Sequence, residues 1–151
     1  MREILFRGKR IDNGEWVKGG SIARMGNSPA AFDYYIGSGN AGVHSFDVHG
    51  NILSSETLGE CLFYKVGFST IGQYTGMTDK IGNQIYEGDI VEKDGKRMYV
   101  VFHKGSWMLW DHEENDDFLS NWCSPCYWFG KDIGGCAIVG NIYDSPELME
   151  E

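Results

Sequence analysis

The chain has 151 residues, 42% apolar and 23% charged, a balance that suits one ordinary domain and argues against a disordered chain. Its net charge of −9 makes it a poor nonspecific ligand for phosphate backbones, and over residues 111–151 ten Asp and Glu face a single Lys. No apolar run approaches the roughly 18 residues of a membrane span, and the opening MREILFRGKR has no signal-peptide core, so a cytoplasmic protein away from membranes is expected.

Aromatics reach 14% and glycines number 21 against three prolines, a mix that favours short strands and many turns. The start reads as a hairpin: alternation through Ile4 and Phe6, then Asp12-Asn13-Gly14, then Glu15-Trp16-Val17-Lys18. Asn-Gly between such segments is a strong hairpin signal because both residues tolerate positive φ. Residues 19–47 are rich in Gly, Ser, Ala and Asn and predict loops and short strands, with FDYYIG as one strand. His49-Gly50-Asn51 predicts a turn, and residues 52–66 a helical turn leading into a strand.

Residues 70–111 are the most legible. After the turn-rich Thr78-Asp79-Lys80-Ile81-Gly82-Asn83 come QIYEGDIVEK, KRMYVVFH and SWMLWD, joined by Asp94-Gly95 and Lys104-Gly105. That is a three-stranded meander. Alternation puts Met98, Val100 and Phe102 on one side and Tyr99, Val101 and His103 on the other, with Met108 and Trp110 opposed to Trp107 and Leu109. Both faces are apolar, whereas a strand wet on one face alternates with polar residues. A cover is therefore expected, either the aromatic stretch Phe118, Trp122, Tyr127, Trp128 and Phe129 or another subunit. CAIVGNIYD predicts a last strand, and Ser145-Pro146-Glu147 has the cap, proline and acidic first turn that start a helical turn.

Chemistry is sparse. Cys123 and Cys126 in CSPC have zinc-ligand spacing, but a structural zinc needs four ligands, and Cys61 and Cys136 lie far off in sequence. With no βαβ pattern around them a redox role is not expected either, so no metal or cofactor is expected. His44, His49, His103 and His112 lack the spacing of a metalloprotease pair. The carboxylates of residues 111–117 break the register of a calcium loop and read as a solvated stretch. Asp79, Glu87 and Asp89 sit among turn residues, where capping explains them better than acid–base work. No nucleotide-binding or nucleophile-elbow motif is present, so catalytic residues are not expected.

Three segments, ILFRGKRIDNGEWVKG, TIGQYTGMTDKIGNQIYEGDIVE and IVGNIYDSPELMEE, together resemble the YopX family, small proteins encoded by phages and prophages of bacteria. In the central segment QYTG, Asp79-Lys80, Gly82 and IYEGDIV stand in the family's order, and GNIYDSPEL is similar to the family's GNIYENPEL ending. The resemblance implies a β-rich fold, a phage or prophage origin and a bacterial cytoplasm. It implies no activity and no catalytic or ligand residue.

The resulting expectation is a mainly β protein with minor α, built of short hairpins and a meander, with an SH3-like barrel in its C-terminal half. It is one domain over residues 1–151, with a β lobe over 1–66 and a barrel lobe over 67–151 as its subdivision. The function expected is binding rather than catalysis, as a homo-oligomer or to a host or phage protein. Trp107, Trp110, Trp122 and Trp128 mark the candidate surface. The alternatives are a nucleic-acid-binding barrel with Arg2, Arg7, Lys9 and Arg10 as its basic edge, and an acidic decoy of a host DNA-binding protein using residues 111–117 and the carboxyl end.

Overall fold

The computed structural model describes residues 3–28, 31–38, 44–46, 52–55, 62–103, 105–110, 127–128 and 135–150. The chain divides into two compact units, residues 1–73 and 74–151. Its architecture is mainly β. In place of the minor α content expected, helical structure among the described residues is confined to the short 3-10 turns Phe68–Thr70 and Pro146–Met149.

In the first unit, β1 (Phe6–Lys9) pairs antiparallel with β2 (Trp16–Gly19), as the alternation predicts. The connection is longer than a bare Asn-Gly turn. Arg10 N–H donates to the Glu15 carbonyl at 2.9 Å, Asn13 Oδ1 accepts the Glu15 N–H at 3.0 Å, and Gly14 takes a φ of 75°. Next come β3 (Ser21–Ser28) and β4 (Ala31–Ser38), the latter containing FDYYIG. A small hairpin follows, β5 (His44–Phe46) against β6 (Ile52–Ser55). The turn expected at His49-Gly50-Asn51 falls outside the described residues, between these strands. The helical turn expected at the start of residues 52–66 is corrected, since Ile52–Ser55 is a strand. So short a segment cannot offset the cost of helix nucleation, whereas pairing with β5 satisfies its backbone. Then β7 (Leu62–Val66) completes an antiparallel sheet in the order β3-β4-β7.

Two glycines set how the β1–β2 ribbon packs on this sheet. A Cβ at Gly19 would sit 1.7 Å from the Gly37 carbonyl oxygen, and one at Gly8 would sit 2.9 Å from Ile36 Cδ1. Their bare backbones lie directly on Ile36 and Val66, the buried apolar centre of the unit. Then comes β8 (Gly72–Thr78), whose first two residues pair with Arg7 and Phe6 of β1.

In the second unit, Tyr74 and Thr78 of β8 pair with β9 (Gln84–Tyr86). QIYEGDIVEK, expected as a single strand, is divided: β9 ends at Tyr86 and β10 (Asp89–Lys93) starts three residues later. Gly88 turns the chain with a φ of 82°, and its N–H and C=O bond to the Val100 C=O and the Ile142 N–H. Asp89, 2% exposed, accepts the Tyr86 N–H through Oδ2 at 2.8 Å and so closes the corner.

From there the chain runs into β11 (Lys96–His103), β12 (Ser106–Trp110), β13 (Tyr127–Trp128) and β14 (Ala137–Asn141). The antiparallel sheet has the order β13-β12-β11-β10-β14. The Asp94-Gly95 connection has φ values of 53° and 79°, the mirror-image turn whose twist matches a β-hairpin. The expected meander and last strand are therefore present. Ile85, Val91, Met98, Val100, Leu109 and Cys136 form the core of the unit, with Met77, Trp107 and Ile138 packed against it. Burying an aliphatic side chain of this kind stabilises by about 1.5–3 kcal/mol. The closing 3-10 turn starts at Pro146 as predicted, but the Ser145 side chain makes no capping bond.

Candidate interaction surface

The alternation of β11 and β12 sorts their side chains onto two faces. Val100 lies opposite Leu109 and Phe102 opposite Trp107, and this inner face builds the core. Tyr99 lies opposite Trp110 and Val101 opposite Met108 on the outer face. All four outer residues are half-buried. The middle of the outer face thus holds two rings and two aliphatic chains where a wet face would carry polar groups, with Arg97 at one end and the His103–Ser106 pair at the other. Burial also raises the Tyr99 phenol above its ordinary pKa.

The four tryptophans singled out from the sequence therefore have different placements. Trp110 stands on the outer face. Trp107 packs against the core from the other side, its ring 4.8 Å from that of Phe102 in an edge-on pair, and Phe102 itself is 52% exposed. Trp128 stands opposite Met108 in the β12–β13 register. Trp122 lies outside the described residues, as do Phe118 and Phe129 of the expected cover.

Cys123 and Cys126 likewise lie outside them, and Cys136 is buried in the core. Among the described residues no three His, Cys, Asp or Glu side chains come together as a metal set. His103 is half-buried at the end of β11, opposite Ser106, and His49 and His112 are outside the described residues.

The buried carboxylates hold the fold. Asp79, 6% exposed, accepts N–H groups from Ile81 at 3.0 Å, Asn83 at 2.8 Å and Ile138 at 3.4 Å, and the Asn83 amide at 3.1 Å. Desolvation pushes its pKa up, but these donors, led by those of Asn83, together outweigh it and hold the carboxyl below its ordinary value. The bonds tie the turn before β9 to β14. Asp79 in this turn and Asp89 at the corner thus both accept backbone N–H groups.

Cationic side chains gather in the first unit. Arg7, 9% exposed, lies 4.8 Å from the Trp16 ring centre. Arg10 lies 4.6 Å from the Tyr64 ring and donates from Nε to Asp12 Oδ1 at 2.9 Å. That hydrogen bond raises the Arg10 pKa and lowers that of Asp12. Lys65 pairs with Asp33 at 2.8 Å, which raises the lysine. Arg24 lies over the Phe32 ring at 3.2 Å. The sequence carried no signal for these ring contacts, because each joins residues on different strands or across a turn.

The model of the YopX protein family matches residues 6–150. No curated protein matches the chain. Among solved structures, the crystal structure of protein EF1440 from Enterococcus faecalis is similar at a TM-score of 0.44 and 19% identity, with 97% of each chain covered.

Proposed function

The chain belongs to the YopX family, and from that premise we propose that it is a noncatalytic accessory protein of a phage or prophage that works in the bacterial cytoplasm by binding protein, first of all a second copy of itself. One observation carries this reading: the outer face of the meander presents Tyr99, Val101, Met108 and Trp110, all incompletely buried. Rings and aliphatic chains grouped on one sheet face are the composition of an interface centre, where charged residues are depleted. A twofold axis through such a face lets the same patch meet itself, while the net charge of −9 keeps the rest of the surface soluble.

We read the second unit as an SH3-like barrel. The corner at Gly88, where the chain passes from β9 into β10, and the meander that follows support a sheet that curls on itself. A host or phage protein is the other occupant for the patch. The basic edge formulated from Arg2, Arg7, Lys9 and Arg10 is less favoured, because Arg7 is buried and Arg10 is already met by Asp12 and Glu15.

Light scattering tests the reading. The wild type should exceed the monomer mass of 17.0 kDa, and Val101→Glu, which places a charge on the outer face and leaves the core untouched, should return it to that mass. A wild type that stays at 17.0 kDa at high concentration counts against self-association. An oligomer that V101E leaves intact counts against this face.

A further inference from the structure

The two units differ in charge. Residues 1–73 contain seven Lys and Arg and seven Asp and Glu, whereas residues 74–151 contain six and fifteen, so the second unit carries the whole net charge. The neutral unit also holds an unusual row of side chains. On one face of the β3-β4-β7 sheet, Arg24 stands directly opposite Tyr34. Its guanidinium lies 3.2 Å from the centre of Phe32, the neighbouring residue on the same face of β4. On the other side of this row, the Tyr34 ring meets Phe68 at 4.6 Å with the planes 33° apart. Phe68 is 67% exposed, and Ile22 and Arg24 are exposed beside it.

Three features separate this row from ordinary packing. A phenylalanine open over two thirds of its surface adds little to a core, yet it is held against the Tyr34 ring in a tilted pair. The guanidinium carbon lies over a ring, and Arg24 is exposed, a placement in which a cation gains from the ring and stays open to a ligand. And where Arg10 is met by Asp12 and Glu15, and Lys65 by Asp33, no carboxylate among the described residues pairs with Arg24. One exposed ring, Phe68, backed by half-buried Tyr34, beside an exposed planar cation with no paired carboxylate among the described residues, supplies the elements of a platform for single strands: a base stacks on Phe68 and the guanidinium takes a phosphate bidentately.

We infer that the Phe68–Tyr34–Arg24–Phe32 row binds single-stranded nucleic acid, through base stacking with one phosphate contact. Duplex is a poor occupant, since its bases already stack on one another and the protein's net charge repels its denser phosphates. Sequence preference is weak, because every base has a π-face. This inference stands on a different unit and different residues from the proposed self-association.

The test is fluorescence anisotropy of a labelled oligo-dT of about 16 nucleotides, the upper end of the span of a small single-strand binding fold, titrated with the full-length protein at about 50 mM salt, where electrostatic affinity is high. Wild type should bind the single strand more tightly than a duplex of the same length. Phe68→Ala should weaken binding roughly tenfold, the loss of one base stack. Arg24→Ala should weaken it and flatten the dependence of log affinity on log salt by about 0.7, the share of one phosphate. Arg24→Lys should weaken binding yet keep that slope. Ile11→Ala, at an exposed site on the β1–β2 turn, should change nothing. Circular dichroism checks that each variant is folded. Absence of binding at low salt, equal binding of duplex, or affinities unmoved in F68A and R24A would overturn the inference. Saturable binding of a proline-rich peptide in place of oligo-dT would overturn it in favour of a peptide groove.

Discussion

Replacing Asp89 by alanine should unsettle the corner between β9 and β10. Asp89 is almost wholly buried, and its Oδ2 accepts the Tyr86 N–H at 2.8 Å. Tyr86 is itself fully buried, so the N–H left behind has no water to turn to. A hydrogen bond from a buried donor to a charged acceptor is worth about 1.5–3 kcal/mol. In a chain of this length each kcal/mol moves the melting temperature by about 2–4 °C, so D89A should melt about 3–12 °C below wild type. Asp89→Asn keeps a carbonyl oxygen where the carboxylate was. Neutral bonds are worth roughly half as much, so D89N should lose about half as much stability. Far-UV circular dichroism on heating at neutral pH reads both. The reasoning fails if D89A melts within about 1 °C of wild type, or if D89N is as damaging as D89A. The second outcome would mean that the charge, rather than the acceptor at the turn, is what the corner needs.

Leu109→Ala removes a fully buried core side chain and should cost about 2–5 kcal/mol, while Phe102→Ala at a half-open site should cost well under that; urea unfolding compares them, and equal losses would contradict the difference in burial along this face. Gly19→Ala would place a methyl 1.7 Å from the Gly37 carbonyl oxygen, a backbone atom that no rotamer change can move aside. It should cost at least the ~1–3 kcal/mol of overpacking, and an unchanged melting temperature would refute the close approach of β2 to β4. The carboxyl of Asp79 is held below its ordinary value of 3.8, so the stability it lends is full above that value and disappears as pH falls through the lower folded value. The gap in melting temperature between wild type and Asp79→Asn should therefore be widest at neutral pH and narrow below about pH 4; a gap of constant size across that range would contradict the account.

The strands that could be read from the sequence are those whose signals are local. Asp94-Gly95 requires only its own two residues to turn the chain, and the alternation in KRMYVVFH fixes which side chains share a face. The division at Glu87-Gly88 was harder to see. Nothing in QIYEGDIVEK alone separates a strand that continues from one that changes partners, because the reason lies in Asp89 folding back on Tyr86 and in Gly88 bonding to Val100 and Ile142. Ile52–Ser55 misled because four residues are too few to show a period, and pairing with β5 decided the outcome. The residues that carry the family resemblance, Asp79, Gly82, Gly88 and Asp89, turn out to be absorbed in turns and hydrogen bonds. They mark the fold, which is why they pointed to a family and not to a site. Both surfaces proposed for binding come instead from registers. Trp110 meets Tyr99 only once the register of the β11–β12 hairpin is set, and Arg24 meets Tyr34 only beyond a bulge in the β3–β4 hairpin.

The account turns on the outer face of the meander being covered by a second copy. Hydroxyl-radical footprinting at low and high protein concentration measures this residue by residue. Met108 and Trp110 should be labelled in the dilute protein and protected in the concentrated one, while Phe102, exposed at a different place, should be labelled equally in both. Labelling of Met108 and Trp110 that does not change with concentration, or protection that appears at Phe102 instead, would contradict it.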